Sequence, residues 1–157
     1  MRWYALAITL LAGCCGYSTR SLLPSHLKTV AVSPALNTTT QPGLAEVLTD
    51  SVIAAFTADR TLRVTNTEAA DLVVSSTLSN YSRTASSYTG EQAVSAYELS
   101  VSAQVEARDQ SRNEGFYKGT ASARVTYDPN AKTEEQAASE AIGKLASEIV
   151  RQVQIAW

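Results

Sequence analysis

Tyr97-Glu98-Leu99-Ser100-Val101-Ser102-Ala103-Gln104-Val105-Glu106-Ala107-Arg108 alternates, residue by residue, between apolar and polar side chains. A period of two is the signature of a β-strand with one buried and one wet face. Phe116 to Tyr127 repeats it, with Tyr117, Ala121, Ala123 and Val125 on one side and Lys118, Thr120, Ser122 and Arg124 on the other. Asp109 to Gly115 between them is a cluster of turn residues. The two runs therefore read as an antiparallel hairpin. A turn centred on Arg112 sets Glu106 opposite Lys118 on the wet face, where such a pair contributes roughly 0.2–1 kcal/mol. That structural account suffices for those charges, and no catalytic role is assigned to them.

Upstream, Leu72 to Ser82 reads as a third strand with Leu72, Val74 and Leu78 on one face, and Arg83 to Gln92 as a polar loop with Tyr88 near its tip and Gly90 as its flexible point. Leu27 to Ser33 is a short β-branched strand stopped by Pro34. Gln41-Pro42-Gly43 opens a helix, because proline at a helix start lacks only an N–H that would be unsatisfied anyway. Leu44, Val47, Leu48, Val52, Ala55 and Phe56 give that helix an apolar face, and it ends near Arg60. Leu62-Arg63-Val64 is a brief extended segment. Downstream, Asp128-Pro129-Asn130 breaks the hairpin, and Thr133 with Gln136 forms a capping box. Ala138, Ile142, Leu145, Ile149 and Val153 line one face of the helix that follows. Every strand hides one face and each helix one stripe. The economical architecture is α+β, a two-layer sandwich with both helices on one face of a roughly four-stranded, mixed or largely antiparallel sheet.

The N-terminal residues are of another kind. Arg2 precedes the uncharged apolar run Trp3 to Leu11, which is too short for a permanent transmembrane helix of about 20 residues. A basic start, a short apolar core and a small-residue exit read as an export signal. Its exit, Leu11-Ala12-Gly13-Cys14, resembles the lipobox of bacterial lipoproteins. The resemblance implies a signal peptide over 1–13, lipidation of Cys14, and, with no Asp after Cys14, sorting to the periplasmic face of the outer membrane. Residues 14–26 read as a lipidated tether and 27–157 as one domain. Several acyl chains on one cysteine give stable membrane attachment where a single chain does not.

Composition excludes several function classes. The chain of 157 residues carries 13 basic and 15 acidic side chains, a balance that speaks against a nucleic-acid partner. Both cysteines, Cys14 and Cys15, lie in the anchor, so the domain has neither a disulfide framework nor a cysteine metal site. His26, the lone histidine, reads as a surface residue beside the tether. No carboxylate cluster, glycine-rich phosphate loop or nucleophile elbow stands in the sequence. The expectation is a protein that is not an enzyme, with no cofactor beyond the covalent lipid on Cys14.

The order of elements resembles the lipopolysaccharide-assembly lipoprotein family, LptE. The residues that carry it are Cys15-Gly16-Tyr17 after the lipobox, Leu27-Lys28-Thr29-Val30-Ala31-Val32, Asn37-Thr38-Thr39 with Pro42-Gly43-Leu44, and Leu48-Thr49-Asp50. Arg60-Thr61-Leu62-Arg63-Val64, Ala70-Asp71-Leu72 and Tyr97-Glu98-Leu99-Ser100-Val101 continue it. The resemblance implies a plug and partner of a large LptD-like outer-membrane β-barrel that helps place lipopolysaccharide at the cell surface. It implies glycolipid contact through two basic positions, one in the loop between the middle strands and one before the last helix. Lys132 stands at the second. The loop tip, Ser87-Tyr88-Thr89-Gly90-Glu91, has no basic residue, and the nearest is Arg83 at the loop's base. Tyr88, Thr89 and Gly90 then form a barrel-facing loop. The opening strand with Pro34, Asn37 and Thr38 also resembles outer-membrane lipoproteins that dock onto a periplasmic cell-wall synthase or form part of a secretion assembly.

Overall fold

The computed structural model describes residues 23–90 and 93–156. The expected signal peptide over 1–13 and tether over 14–26 lie wholly or largely outside them, as do Cys14 and Cys15. In chain order the elements are β1 (Thr29–Val32), β2 (Leu36–Asn37), α1 (Leu44–Asp59), β3 (Arg63–Val64), a 3-10 turn at Thr67–Ala69, β4 (Leu72–Tyr88), β5 (Val94–Asp109), β6 (Glu114–Tyr127) and α2 (Glu134–Ile155). One mixed sheet runs β3-β1-β4-β5-β6, and β2 pairs with β4 beyond the end of β1. The β1–β3, β1–β4 and β2–β4 pairs are parallel, and β4–β5 and β5–β6 are antiparallel.

The sheet thus has six strands, not roughly four. The two additions, β2 and β3, are two residues each, too short to show a periodicity. Pro34 divides β1 from β2. Across that break the chain gains one residue on β4, since Val32 pairs with Val74 and Leu36 with Thr77.

The hairpin reads as expected, with Glu106 opposite Lys118 and their charged atoms 3.8 Å apart. A bulge between Ala107 and Arg108 lets the turn close, and Asn113 takes a positive φ there. The larger difference lies in β4. It continues through Arg83 to Tyr88, paired with β5 along that length, so most of the expected loop is strand. Its Ser/Thr-rich residues show no apolar contrast from which a period could be read.

Leu99, Val101, Ala103, Val105 and Ala107 of β5 form one buried row. They meet Ile142, Leu145, Ile149 and Val153 of α2, with Leu48, Val52 and Phe56 of α1 completing the core. Burying each large side chain contributes about 1.5–3 kcal/mol. α2 covers β5 and β6, while α1 packs beside it over β1 and β3. Thr133 caps α2 with both bonds of the capping box formed. Gly119 lies beneath the Tyr117 ring, and a Cβ there would sit 2.1 Å from the Tyr117 hydroxyl, which donates to Gln152 of α2 at 2.7 Å. The opposite sheet face is polar and, among the described residues, carries no helix.

Candidate functional site

Two clusters of polar side chains stand out, one at each end of β4. The first depends on a bulge. Leu78 pairs with Ala103 and Asn80 with Ser102, leaving Ser79 as an extra residue. An extra residue shifts the alternation by one. Before the bulge, Leu72, Val74 and Leu78 face the helices; after it, Tyr81 and Arg83 do. Arg83 therefore lies on the helix side of the strand, not at a loop base. Its guanidinium pairs with Glu134 in the first turn of α2 and sits 4.2 Å from the centre of the Tyr97 ring. Tyr97 packs in turn on Tyr127, centroids 5.9 Å apart. Glu134 also accepts the Tyr81 hydroxyl at 2.9 Å. Burial and that carboxylate raise the Tyr81 pKa, and the hydrogen bond to Glu134 raises that of Arg83.

Lys132 precedes the α2 cap and pairs with Glu140, nearly two turns inside the helix. Lys144 reaches the same carboxylate at 2.9 Å. The two ammonium groups, Lys132 first, hold the Glu140 pKa down at about 2. Arg83 and Lys132 are thus brought to the same end of α2, each already facing a carboxylate. A bound phosphate would compete with Glu134 and Glu140 for cations that form strong charge-assisted bonds with either anion. The hairpin tip stands apart. Tyr88 is 64% exposed, and four residues of strand lie between it and Arg83, a span of about 17 Å. Thr89 donates its N–H to the Ala93 carbonyl at 2.7 Å, closing the tip around Gly90.

Between the N-terminal ends of α1 and α2 and beside Tyr81 lies a groove of about 680 Å³. Leu44, Val47 and Ala138 give it an apolar floor, and Glu134 and Glu135 stand at its rim. Val47 is 39% exposed there.

The second cluster lies at the other end of β4, where the chain enters the domain. Leu23 and Leu27 are core residues, and His26 Nε2 donates to Asp109 Oδ2 at 2.6 Å. The Asp109 side chain is only 3% exposed. Burial pushes its pKa up, but the His26 bond and the N–H groups of Arg112 and Ser111 outweigh burial and hold it below the ordinary carboxylate range. The neighbouring Asp71 accepts the Lys28 and Thr29 N–H groups, each at 3.0 Å, and the Thr29 hydroxyl at 2.8 Å. Those bonds, the Lys28 N–H foremost, lower its pKa as well. His26 and Asp109 are separated by 83 residues, a pairing that no local spacing shows. The signal that was available is the terminal Asp on an otherwise alternating strand.

Among the described residues no group of three or more His, Cys, Asp or Glu is placed to hold a metal ion, and no helix is long and apolar enough to cross a membrane.

The fold is shared with several solved structures. The hypothetical protein CT253 from Chlamydia trachomatis superposes with a TM-score of 0.62 at 14% identity, over 82% of this chain and 96% of that one. Lipoprotein B from Nitrosomonas europaea gives 0.58 at 15% identity, over 89% and 91%. PelC from Paraburkholderia phytofirmans, solved as a dodecamer, gives 0.57 at 15%, over 82% and 89%. At such identities the likeness is one of fold alone. No curated protein matches the chain in sequence. Residues 27–153, nearly all of the domain just described, match the lipopolysaccharide-assembly family LptE, and the chain belongs to that family.

Proposed function

We propose that the chain is a lipid-anchored outer-membrane protein that assists lipopolysaccharide assembly as the partner and plug of a large LptD-like β-barrel. The observation that carries this reading is the family match over residues 27–153, which does not favour a cell-wall synthase activator or a secretion assembly. In this reading Cys14 bears the lipid, residues 1–13 are removed, and the domain works on the periplasmic face without catalysis. Arg83 and Lys132 are the cations offered to glycolipid phosphates, and Tyr88, Thr89 and Gly90 face the barrel. The ion pairs to Glu134 and Glu140 support a modest, exchangeable grip: a phosphate gains each cation only by displacing a carboxylate.

The test is depletion in the cell of origin, with newly made lipopolysaccharide followed to the outer leaflet. Loss of surface delivery, restored by the wild-type chain and only partly by an Arg83→Ala, Lys132→Ala double variant, is the expected result. Normal delivery after depletion contradicts the function. Full rescue by the double variant contradicts the role given to the two cations.

A further inference from the structure

Among the described residues, the uncovered edge of β4 and the groove beside it form one surface. β1 and β2 occupy that edge as far as Leu78, where Thr38 donates its N–H to the Leu78 carbonyl at 3.0 Å. A turn then leads the chain away from the sheet, with Asn37 accepting from the N–H and hydroxyl of Thr39. Beyond it, among the described residues, no strand pairs with β4 on this side, while β5 pairs with it on the other. Val74 and Leu78 face the helices and offer their carbonyls to this edge, to Ser33 and Thr38. In a strand, residues that share a face point their backbone groups to the same side. After the bulge, the residues on the helix face are Tyr81, Arg83 and Ala85, so their N–H and C=O groups line the open edge.

Proteins usually guard such edges with charge, proline or cover. The other long edge, β6, carries Lys118 and Arg124, and α2 reaches over it through Gln152, whose amide donates to the Thr120 carbonyl at 3.5 Å. From Asn80 to Ala85 the β4 edge bears one charge, Arg83, and that one is turned inward to Glu134. The side chains of a strand added here would alternate between the polar sheet face and the groove. That groove has an apolar floor and, among the described residues, is lined by two carboxylates and no cation. Glu134 is engaged by Arg83 and Tyr81. Glu135 is exposed at the rim, and its carboxylate has no partner among the described residues.

We propose that β4 accepts an extended segment of another polypeptide as an added strand, and that this segment places a lysine or arginine into the groove. The stem of such a side chain lies along Leu44, Val47 and Ala138 while its head reaches Glu135. Main-chain bonds to Tyr81, Arg83 and Ala85 supply affinity and the groove supplies selectivity, the division of labour usual in strand addition. The inference does not rest on the lipopolysaccharide reading.

The experiment uses the detergent-solubilised full chain, labelled for amide NMR, and a capped peptide of alternating threonine and valine with one central arginine. Two twins serve as controls, one with glutamate for arginine and one with alternate peptide bonds N-methylated. At millimolar peptide, amide exchange at Tyr81, Arg83 and Ala85 is expected to slow, while that of residues facing β5 is unchanged. The glutamate twin is expected to bind roughly tenfold more weakly, and the N-methylated twin to give no protection. Ala85→Pro, which removes an N–H directed to the open edge and spares the β5 ladder, is expected to weaken binding severalfold. Glu135→Lys is expected to abolish the preference for arginine. Unchanged exchange with the arginine peptide overturns the proposal. So does protection of the three amides before any peptide is added, which means the chain fills its own edge. Equal binding of the two charged peptides overturns the basic side chain in the groove, and equal binding of the N-methylated twin overturns strand addition.

Discussion

At its first residues β4 lies between β1 and β5, with Leu72 and Val74 buried and the incoming chain tied across it by Asp71 and by the His26–Asp109 pair. At its last residues it has, among the described residues, β5 alone, and it ends at an exposed Tyr88. One strand therefore serves two purposes. The chain-entry end is apolar within and its buried polar groups are satisfied, the condition for a rigid core. The far end keeps backbone, a groove and two cations within reach of solvent, and its ion pairs are of the exposed kind that contribute little to stability. Low local stability is what binding elements commonly show. The lesson is that the end where the chain enters the domain holds the fold, while the distal end keeps backbone and charge exposed, which is where the proposed partners would meet it.

The sharpest way to break this contrast is to truncate both ends of the same strand. Leu72→Ala removes a fully buried side chain and is expected to cost roughly 2–5 kcal/mol in denaturant unfolding. Tyr88→Ala at the other end is expected to change stability by less than about 0.5 kcal/mol. Equal losses would abolish the distinction.

Next in size is the buried carboxylate. Asp109→Ala leaves His26 and the Arg112 N–H without their partner and is expected to cost roughly 1–3 kcal/mol. Asp109 and Asp71 both have folded pKa values below the ordinary range. Their stabilisation is complete above the unfolded carboxyl value of about 3.9 and is lost as pH falls through the lower folded values. Hydrogen exchange below about pH 4 is therefore expected to open Leu27 to Val32 ahead of the rest of the core. Replacing both residues by Asn should remove that pH dependence. Simultaneous opening of all elements would show that the two carboxylates do not control the chain-entry end.

A smaller effect belongs to the packing of α2 on the β6 edge. Gly119→Ala displaces the Tyr117 ring and breaks its bond to Gln152. The expected cost is about 1 kcal/mol, read as a lower unfolding midpoint. The double variant Gly119→Ala, Tyr117→Ala, which removes the ring atoms that the new Cβ would meet, should then cost no more than Tyr117→Ala alone plus a few tenths.

Much of this architecture is legible in the amino-acid sequence. The alternation of Tyr97 to Arg108, the Glu106–Lys118 pairing and the Thr133 capping box are local patterns, and local patterns survive folding when the core supports them. The upper half of β4 is not legible, because Arg83 to Tyr88 is nearly uniform in polarity and its strand character comes from β5. Nor is the Ser79 bulge, whose single extra residue decides which face Arg83 occupies. Family resemblance alone points to the cations at 83 and 132. Their shared place at the start of α2 depends on Glu134, which no local pattern sets apart from the other acidic residues. His26 reads as a surface residue in the sequence because its partner lies at the far end of another strand.

The measurement that tests the central claim most directly is affinity purification of the tagged full chain from its native membranes, with the bound proteins identified and quantified by mass spectrometry. A large outer-membrane β-barrel recovered at one copy per chain is the expected result. A cell-wall synthase at that stoichiometry, a ring of the chain itself, or the chain alone would contradict it.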